Sequence, residues 1–388
     1  MKTNEVKEIL QKNPTASLDE LVKLTNESRS REYLRKLRVQ LGLPALRQNS
    51  QNTKLKPEDE VEKDITVRSL KDKTERTNKK YQSLLEQNER KSRQIEAFKL
   101  LQEVESYSIK RKDVESNDAT AVVLCSDWHS EERVRSSDVN GKNEYNLQVF
   151  DERADLFFIH TAKLVKVKQK SIKVQTLVLA LLGDYITGNL HEENVETCQL
   201  GIMEALMNAQ TKLASGIQYL LDSTDVDLVI PCHSGNHARI TKKQRHATDA
   251  DNSLEYVMYH TLAGMFKGNP RVKFLISPSY HSYLDIADFK IRFHHGHDIR
   301  YGGGVGGLTI PVNKAIANWN TIETADLDCF GHFHQQFFGG NFICNGSLIG
   351  WNAYAVGIKA RFEKPRQAFF LVNHARKEIT DYCPVWVT

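Results

Sequence analysis

After Asn117 the chain alternates between two textures. The runs AVVLCSDWH, TLVLALLGD, DLVIPCHSGNH and KIRFHHGHD each start as apolar, β-branched stretches and end in polar residues. Helix-like stretches such as Asn194 to Leu221 lie between the second and third. Short apolar runs with polar ends read as buried strands. Strands alternating with helices predict an α/β layered domain over 118–388, with its site where the strands release polar loops.

The first 47 residues have a different period. Val6, Ile9 and Leu10 stripe one short helix. Ser17 followed by Glu20 forms a capping box ahead of a second, with Leu18, Leu21, Val22 and Leu24. Leu34, Leu37 and Leu41 stripe a third, which Gly42 and Pro44 would end. Residues 1–47 are therefore expected to be an all-α segment, and 48–117 a polar linker leading into a long helix. That helix, over 66–112, carries sparse apolar positions, and Asn88 and Lys91 interrupt any heptad seam. It is expected to be solvated or docked, with a homodimer through 66–112 as the alternative.

Charge divides the chain further. The net charge of +4 hides a basic front, since residues 1–112 hold 26 Lys+Arg against 18 Asp+Glu and the remainder sums to −4. Around the third helix, Arg29, Arg31, Arg35, Lys36, Arg38 and Arg47 face a single acid, Glu32. The arrangement resembles a helix-turn-helix with a cationic recognition helix, which makes Arg31, Arg35, Lys36 and Arg38 candidates for contact with DNA. The alternative is a small bundle with a solvated basic face.

Composition adds exclusions. Hydrophobic residues at 40% and charged residues at 26% are those of a globular chain. No apolar run is long enough to span a bilayer and the N-terminus lacks a signal-peptide core, so no membrane partner and a cytoplasmic location are expected. The six cysteines form no C-x-x-C pair, which argues against a disulfide framework or a zinc knuckle.

Five polar clusters sit at or near predicted strand ends. They are Asp127-Trp128-His129, Gly183-Asp184, Gly235-Asn236-His237, His294-His295-Gly296-His297 and Gly331-His332-Phe333-His334. Alone, a histidine at a strand end is more often structural than a ligand, and a Gly-Asp pair is turn chemistry. Five in this order, each behind an apolar strand, point to one joint site. The series resembles the signature of the calcineurin-like metallophosphoesterase superfamily, D-x-H, G-D, G-N-H, H and G-H-x-H, over roughly Ala119 to Thr388. Asn345 to Ser347 (NGS) adds to the likeness. The resemblance implies a two-sheet α/β sandwich flanked by helices, with two divalent metal ions at its loop-bearing edge. It places Asp127, His129 and His334 on the first ion and Asn236, His295 and His332 on the second, with Asp184 between them. His237 would be the general acid.

The residue types suit that chemistry. Two cations a few ångströms apart need a shared anion, a role open to Asp184. Mixed imidazole, amide and carboxylate donors suit first-row metals, Mn2+ foremost with Fe, Zn, Mg and Ni as alternatives, rather than calcium. By the resemblance, a metal-activated hydroxide would attack phosphorus in line.

Two departures bear on the branch. Protein phosphatases of the superfamily carry G-D-Y-V-D-R-G, whereas here GDYITGN puts Thr187 and Gly188 where an orienting acid and a phosphate-gripping arginine stand. In place of the usual acid after G-N-H comes Ala238, followed by the cationic stretch ARITKKQRH. Its Arg239, Lys242 and Lys243 are candidates to hold a polyanionic substrate. With the basic helices, this favours a phosphodiesterase acting on nucleic acid, similar to the DNA repair nucleases of the superfamily and to phage-borne members. The alternatives are a phosphoesterase on nucleotides or other small molecules, and a DNA-binding scaffold with an inactive domain. The run Gly302 to Gly307 lacks the context of a phosphate-binding loop and is expected to be a flexible loop near the site.

Overall fold

A computed structural model describes residues 3–14, 16–25, 30–43, 75–85, 108–109, 117–190, 192–301, 307–357 and 359–388. The chain divides into two compact units, Met1–Leu101 and Gln102–Thr388.

In the first unit, α1 (Thr3–Lys12), α2 (Leu18–Leu24) and α3 (Arg31–Gln40) bury Val6, Leu10, Leu21, Leu34 and Leu37 against one another. Local chemistry sets the ends. Ser17 and Glu20 cap α2 reciprocally, Ser30 accepts from the Tyr33 amide to open α3, and Gly42 closes it at φ 64°. The Gly42 and Leu43 amides then return to the Val39 and Arg38 carbonyls, and only a residue at ease with positive φ makes that turn cheaply.

Arg38 departs from the expected cationic surface. It lies buried, and its guanidinium donates to the Pro14 carbonyl at 2.6 Å, so its charge ties the helices together. Arg31, Arg35 and Lys36 are exposed, with Arg31 paired to Asp19 and Lys36 to Glu32. Residues 75–85 form helix α4 with every side chain exposed. Arg29, Arg47, the linker, most of 66–112 and residues 302–306 lie outside the described residues, but Ser108–Ile109, expected at the end of the long helix, form a short strand instead, because their backbone pairs with Asp285 and Ile286.

The second unit is a mixed α/β sandwich of two six-stranded sheets. One runs β12-β11-β2-β3-β4-β5 and the other β1-β6-β7-β8-β10-β9. In the first sheet β2 (Asp118–Cys125), β3 (Lys173–Leu181), β4 (Asp227–Cys232) and β5 (Val272–Ile276) are parallel, with β11 (Arg366–Asn373) and β12 (Glu378–Trp386) added antiparallel. The second sheet holds β1 (Ser108–Ile109), β6 (Ser282–Ile286), β7 (Phe289–Phe293), β8 (Leu327–Phe330), β9 (Phe337–Phe338) and β10 (Phe342–Cys344), with β7, β8 and β10 parallel.

Alternation along the strands builds the core. Val122 and Leu124, Val178 and Ala180, Leu284 and Ile286, Ile291 and Phe293, Leu327 and Cys329, and Phe370 and Val372 meet between the sheets. The intervening residues of β2 and β3 are buried too, because α5 (Leu147–Lys168) packs on β3 and β12 and pairs with α7 (Ile202–Ser223), which meets α8 (Leu254–Met265). Burial on both faces explains why these strands read as continuous apolar runs. Two shorter helices, α6 (Glu192–Thr197) and α10 (Ala353–Gly357), lie in loops after β3 and β10.

On the far side of the second sheet, α9 (Thr309–Trp319) packs Val312 and Ile316 on Phe330 and Phe342. A buried ion pair anchors its end. Arg292 on β7 donates to both oxygens of Asp328 on β8, at 2.6 and 2.9 Å, and to the Asn320 amide oxygen and the Glu323 carbonyl. Both partners are essentially inaccessible to water. Asp328→Ala should therefore cost about 3–5 kcal/mol in denaturant unfolding, because it strands a buried guanidinium. A loss below about 1 kcal/mol would mean that water or the Asn320 and Glu323 contacts satisfy Arg292 unaided.

Candidate metal centre

The parallel strands end together, and the polar clusters follow their C-terminal ends. Asp127 comes two residues after β2, Asp184 three after β3, Asn236 four after β4, and His295 and His332 each two after β7 and β8. The α/β layering itself thus gathers residues more than 200 positions apart.

The loops then turn in an unusual way. Asp127, His129, Asp184, His332 and His334 all have positive φ, between 48° and 68°. Non-glycine residues rarely adopt that region, and its cost is borne here at five donor positions in one site. The G-H-x-H pair is therefore not carried on an extended strand end, where one intervening residue would set both rings on one side. It sits on a left-handed turn beyond β8, which sends the two rings to different partners.

Close approach explains the glycines. A Cβ on Gly235 would meet Asp184 Oδ1 at 2.0 Å, and one on Gly331 would meet Asp127 Oδ2 at 2.3 Å. At these two glycines one loop's backbone presses against another loop's carboxylate.

Two donor groups result. Asp127, His129 and His334 bring their ligand atoms within 4.8 Å of one another, and so do Asp184, His295 and His332. A third set, His129, Asp184 and His237, connects them. These groups could hold metal ions. The His129 and His334 Nε2 atoms are 3.2 Å apart, His334 Nε2 is 3.5 Å from Asp127 Oδ1, and His295 Nε2 is 2.9 Å from Asp184 Oδ2. Asn236 fits a cation as well, since its Oδ1 is buried with no hydrogen-bond partner among the described residues, a costly state for an amide oxygen.

Supporting bonds aim the donors. His295 Nδ1 donates to the Leu182 carbonyl at 2.6 Å, which leaves Nε2 facing the centre. Asn345 donates to Ser126 Oγ at 2.9 Å, Ser126 donates to Asp127 Oδ2 at 2.5 Å, and the His332 amide donates to Asp127 Oδ1 at 2.9 Å. The NGS turn thereby orients the first carboxylate. His237 donates its backbone N–H to Asp184 Oδ1 at 2.9 Å and its Nδ1–H to the Thr187 carbonyl at 2.8 Å. A main-chain oxygen stands where an orienting acid was missing from the sequence.

Charge is concentrated in a largely buried site. Burial, the largest influence on His295, favours its neutral form, but Asp184 and the Leu182 carbonyl outweigh it and raise the imidazole to about 10. Asp184 is held well below the usual carboxylate range, burial being overcome by His295 and His237. Burial pushes His129 well down, reinforced by His237 and His334, and takes His332 down to about 3. His334 moves up against burial because Asp127 is beside it.

Three acids that the sequence reading passed over hold the loops. Glu255 on α8 is wholly buried and accepts the Tyr185 and Gly235 amides at 2.7 Å each, clamping the G-D loop to the G-N-H loop. Burial and the charge of Asp184 raise it to about 8. Glu131 accepts the Thr187 and Gly188 amides at 2.8 and 2.9 Å. Glu132 accepts from Thr187 Oγ1 at 3.3 Å and from Asn352 at 3.1 Å. The signals were present, an acid directly before the apolar run YVMY of α8 and an acidic pair two residues past D-x-H, but neither indicates what it would bond.

Thr187 joins these parts, because its hydroxyl also meets His129 Nδ1 at 3.1 Å. Thr187→Val removes that hydroxyl and spares the carbonyl that holds His237. It should weaken metal binding about 10- to 100-fold, read by calorimetric titration. Unchanged metal affinity would mean that the hydroxyl does not orient His129.

Of the other candidates, Arg239 is half-buried with its guanidinium on the Asn236 carbonyl, while Lys242 and Lys243 are exposed on the loop beyond. His233 bonds Ser282, His294 stacks on Phe330 beside Asp328, and His297 bonds Gln244, so all three lie around the donors rather than in either group. The six cysteines are free, and among the described residues no helix is long and apolar enough to cross a membrane.

No family model matches the chain, and no curated protein does. Solved structures resemble it distantly. A hypothetical protein from Pyrococcus horikoshii OT3 aligns over 69% of this chain and 88% of its own, at 11% identity and a TM-score of 0.33. The sulfate thiohydrolase SoxB of Thermus thermophilus, in complex with glycerol, aligns over 70% of this chain and 58% of its own, at 9% identity and 0.30. Vps29 of Chaetomium thermophilum aligns over 65% and 79%, at 12% identity and 0.26. At these scores the likenesses carry no functional argument.

Proposed function

We propose that the chain is a phosphoester hydrolase working with two divalent metal ions, Mn2+ foremost, and that it acts as a phosphodiesterase on nucleic acid. The observation that carries this reading is the pair of buried donor groups, Asp127–His129–His334 and Asp184–His295–His332, with His237 against both. Asn236 would complete the second group. When bound, the ions would supply an activated water and neutralise charge on the phosphoryl oxygens.

The chain's own residues do the rest. Asp184 provides the negative charge shared between the groups. His237, its Nδ1–H fixed on the Thr187 carbonyl, would deliver a proton through Nε2 to the leaving oxygen. Arg239, Lys242 and Lys243 border the Asn236 side and would meet further phosphates of a polyanion. Arg31, Arg35 and Lys36 would add sequence-independent affinity for DNA. With Thr187 and Gly188 replacing the acid and arginine of a monoesterase, the diester reading is favoured.

A substrate panel tests this. The protein with Mn2+, and separately with chelator, is incubated with linear duplex DNA, single-stranded DNA, bis-p-nitrophenyl phosphate and p-nitrophenyl phosphate. Metal-dependent cleavage of DNA and the diester is expected. Hydrolysis of the monoester alone would overturn the diesterase reading, and no turnover of anything would leave a DNA-binding scaffold.

A further inference from the structure

The two flanks of the donor array differ in chemistry. Beside Asn236 stands the cationic loop, whereas beside His334 the surface is aromatic. Tyr354, on α10, lies edge-to-face with His334 at 6.0 Å between ring centres. It is not needed to fill the core, being 49% exposed. His334, Trp351, Tyr354 and Arg361 line one crevice, and Trp351 there meets Phe362, itself 50% exposed, at 5.9 Å between ring centres.

A tyrosine presents a large rigid face at little entropic cost, and a half-exposed face at the lip of a charged centre is well suited to a flat ring of the ligand. Cations at one flank, and at the other an aromatic face with Arg361 beside it, match a molecule whose phosphates alternate with planar rings. Sugar phosphates and alkyl phosphodiesters have no such ring. We propose that Tyr354, with Trp351 lining the same crevice, is a stacking shelf for the nucleobase next to the scissile phosphate, so that the substrate of this centre is a nucleobase-bearing phosphodiester. The inference rests on the phosphoesterase reading above and adds to it the residue that holds the base.

The test separates the two. Fluorescence anisotropy on the full chain in chelator, where no turnover consumes the probe, compares a labelled four-nucleotide oligothymidylate with an abasic tetrahydrofuran analogue of equal charge. The wild type should bind the base-bearing probe roughly 10- to 100-fold more tightly. Tyr354→Ala should erase that preference, while Tyr354→Phe, which keeps the ring and loses only the hydroxyl, should retain it. Equal binding of both probes by the wild type, or an undiminished preference in a folded Tyr354→Ala, would overturn the shelf. Failure of the Mn2+-loaded protein to cleave any phosphodiester would instead overturn the hydrolase reading, whatever the binding preference.

Discussion

Asp184→Asn is expected to cut turnover of any phosphodiester by about 10³-fold and to lower metal content, with the fold intact. Asparagine has nearly the shape of the side chain it replaces, so its oxygen can still accept the His237 amide as Oδ1 does at 2.9 Å. What cannot be replaced is the charge. Asp184 Oδ2 lies 2.9 Å from His295 Nε2 and is buried, so its charge is strongly felt there and would offset two cations. An amide nitrogen in that place points a donor at a position that needs an anion. Elemental analysis after metal loading, with the rate on bis-p-nitrophenyl phosphate, reads the outcome. Full activity with two ions bound would remove Asp184 from the role of shared ligand.

His237→Ala is expected to act differently, sparing metal content and slowing esters with poor leaving groups by about 10²- to 10⁴-fold. The structure makes this test decisive, because His237 has two readings. With its Nδ1–H fixed on the Thr187 carbonyl, it is set up as an acid through Nε2; yet its ring also lies within ligand range of His129 and Asp184, where it could bind an ion. A general acid matters most when the departing oxygen is a strong base. The variant should therefore lose far more on alkyl or nucleotide diesters than on p-nitrophenyl esters, whose leaving group departs unaided. Loss of a metal ion, or equal slowing of both classes, would assign His237 to the donors or to substrate binding.

Much of the site was legible because each donor sits just after an apolar strand. A buried parallel strand leaves a strong mark in sequence, and its C-terminal end is where α/β sheets place their chemistry. Asp127, Asp184, His295 and His332 were singled out that way, and the layered α/β domain with them, while the two-sheet arrangement was implied by the family resemblance. Asn345 was signalled by the NGS turn, though its path through Ser126 to Asp127 was not. Arg38 was misplaced because helical position in a short stripe does not reveal which neighbour will wrap it, here the Pro14 carbonyl.

By itself the sequence determined which residue types would meet and at which strand ends, since hydrophobic period and the order of polar clusters are one-dimensional properties. Tertiary structure alone decided the rest. It set five donors at positive φ, pressed Gly235 and Gly331 onto carboxylates, and clamped two loops with Glu255. It also gave the orientation of His237 to a backbone carbonyl in place of an absent acid, and stood Tyr354 at the lip of the centre. The physical reason is common to all of these. A hydrogen bond between residues far apart in the chain, a left-handed turn and a contact at the packing limit depend on where loops come to rest, and no local pattern encodes that.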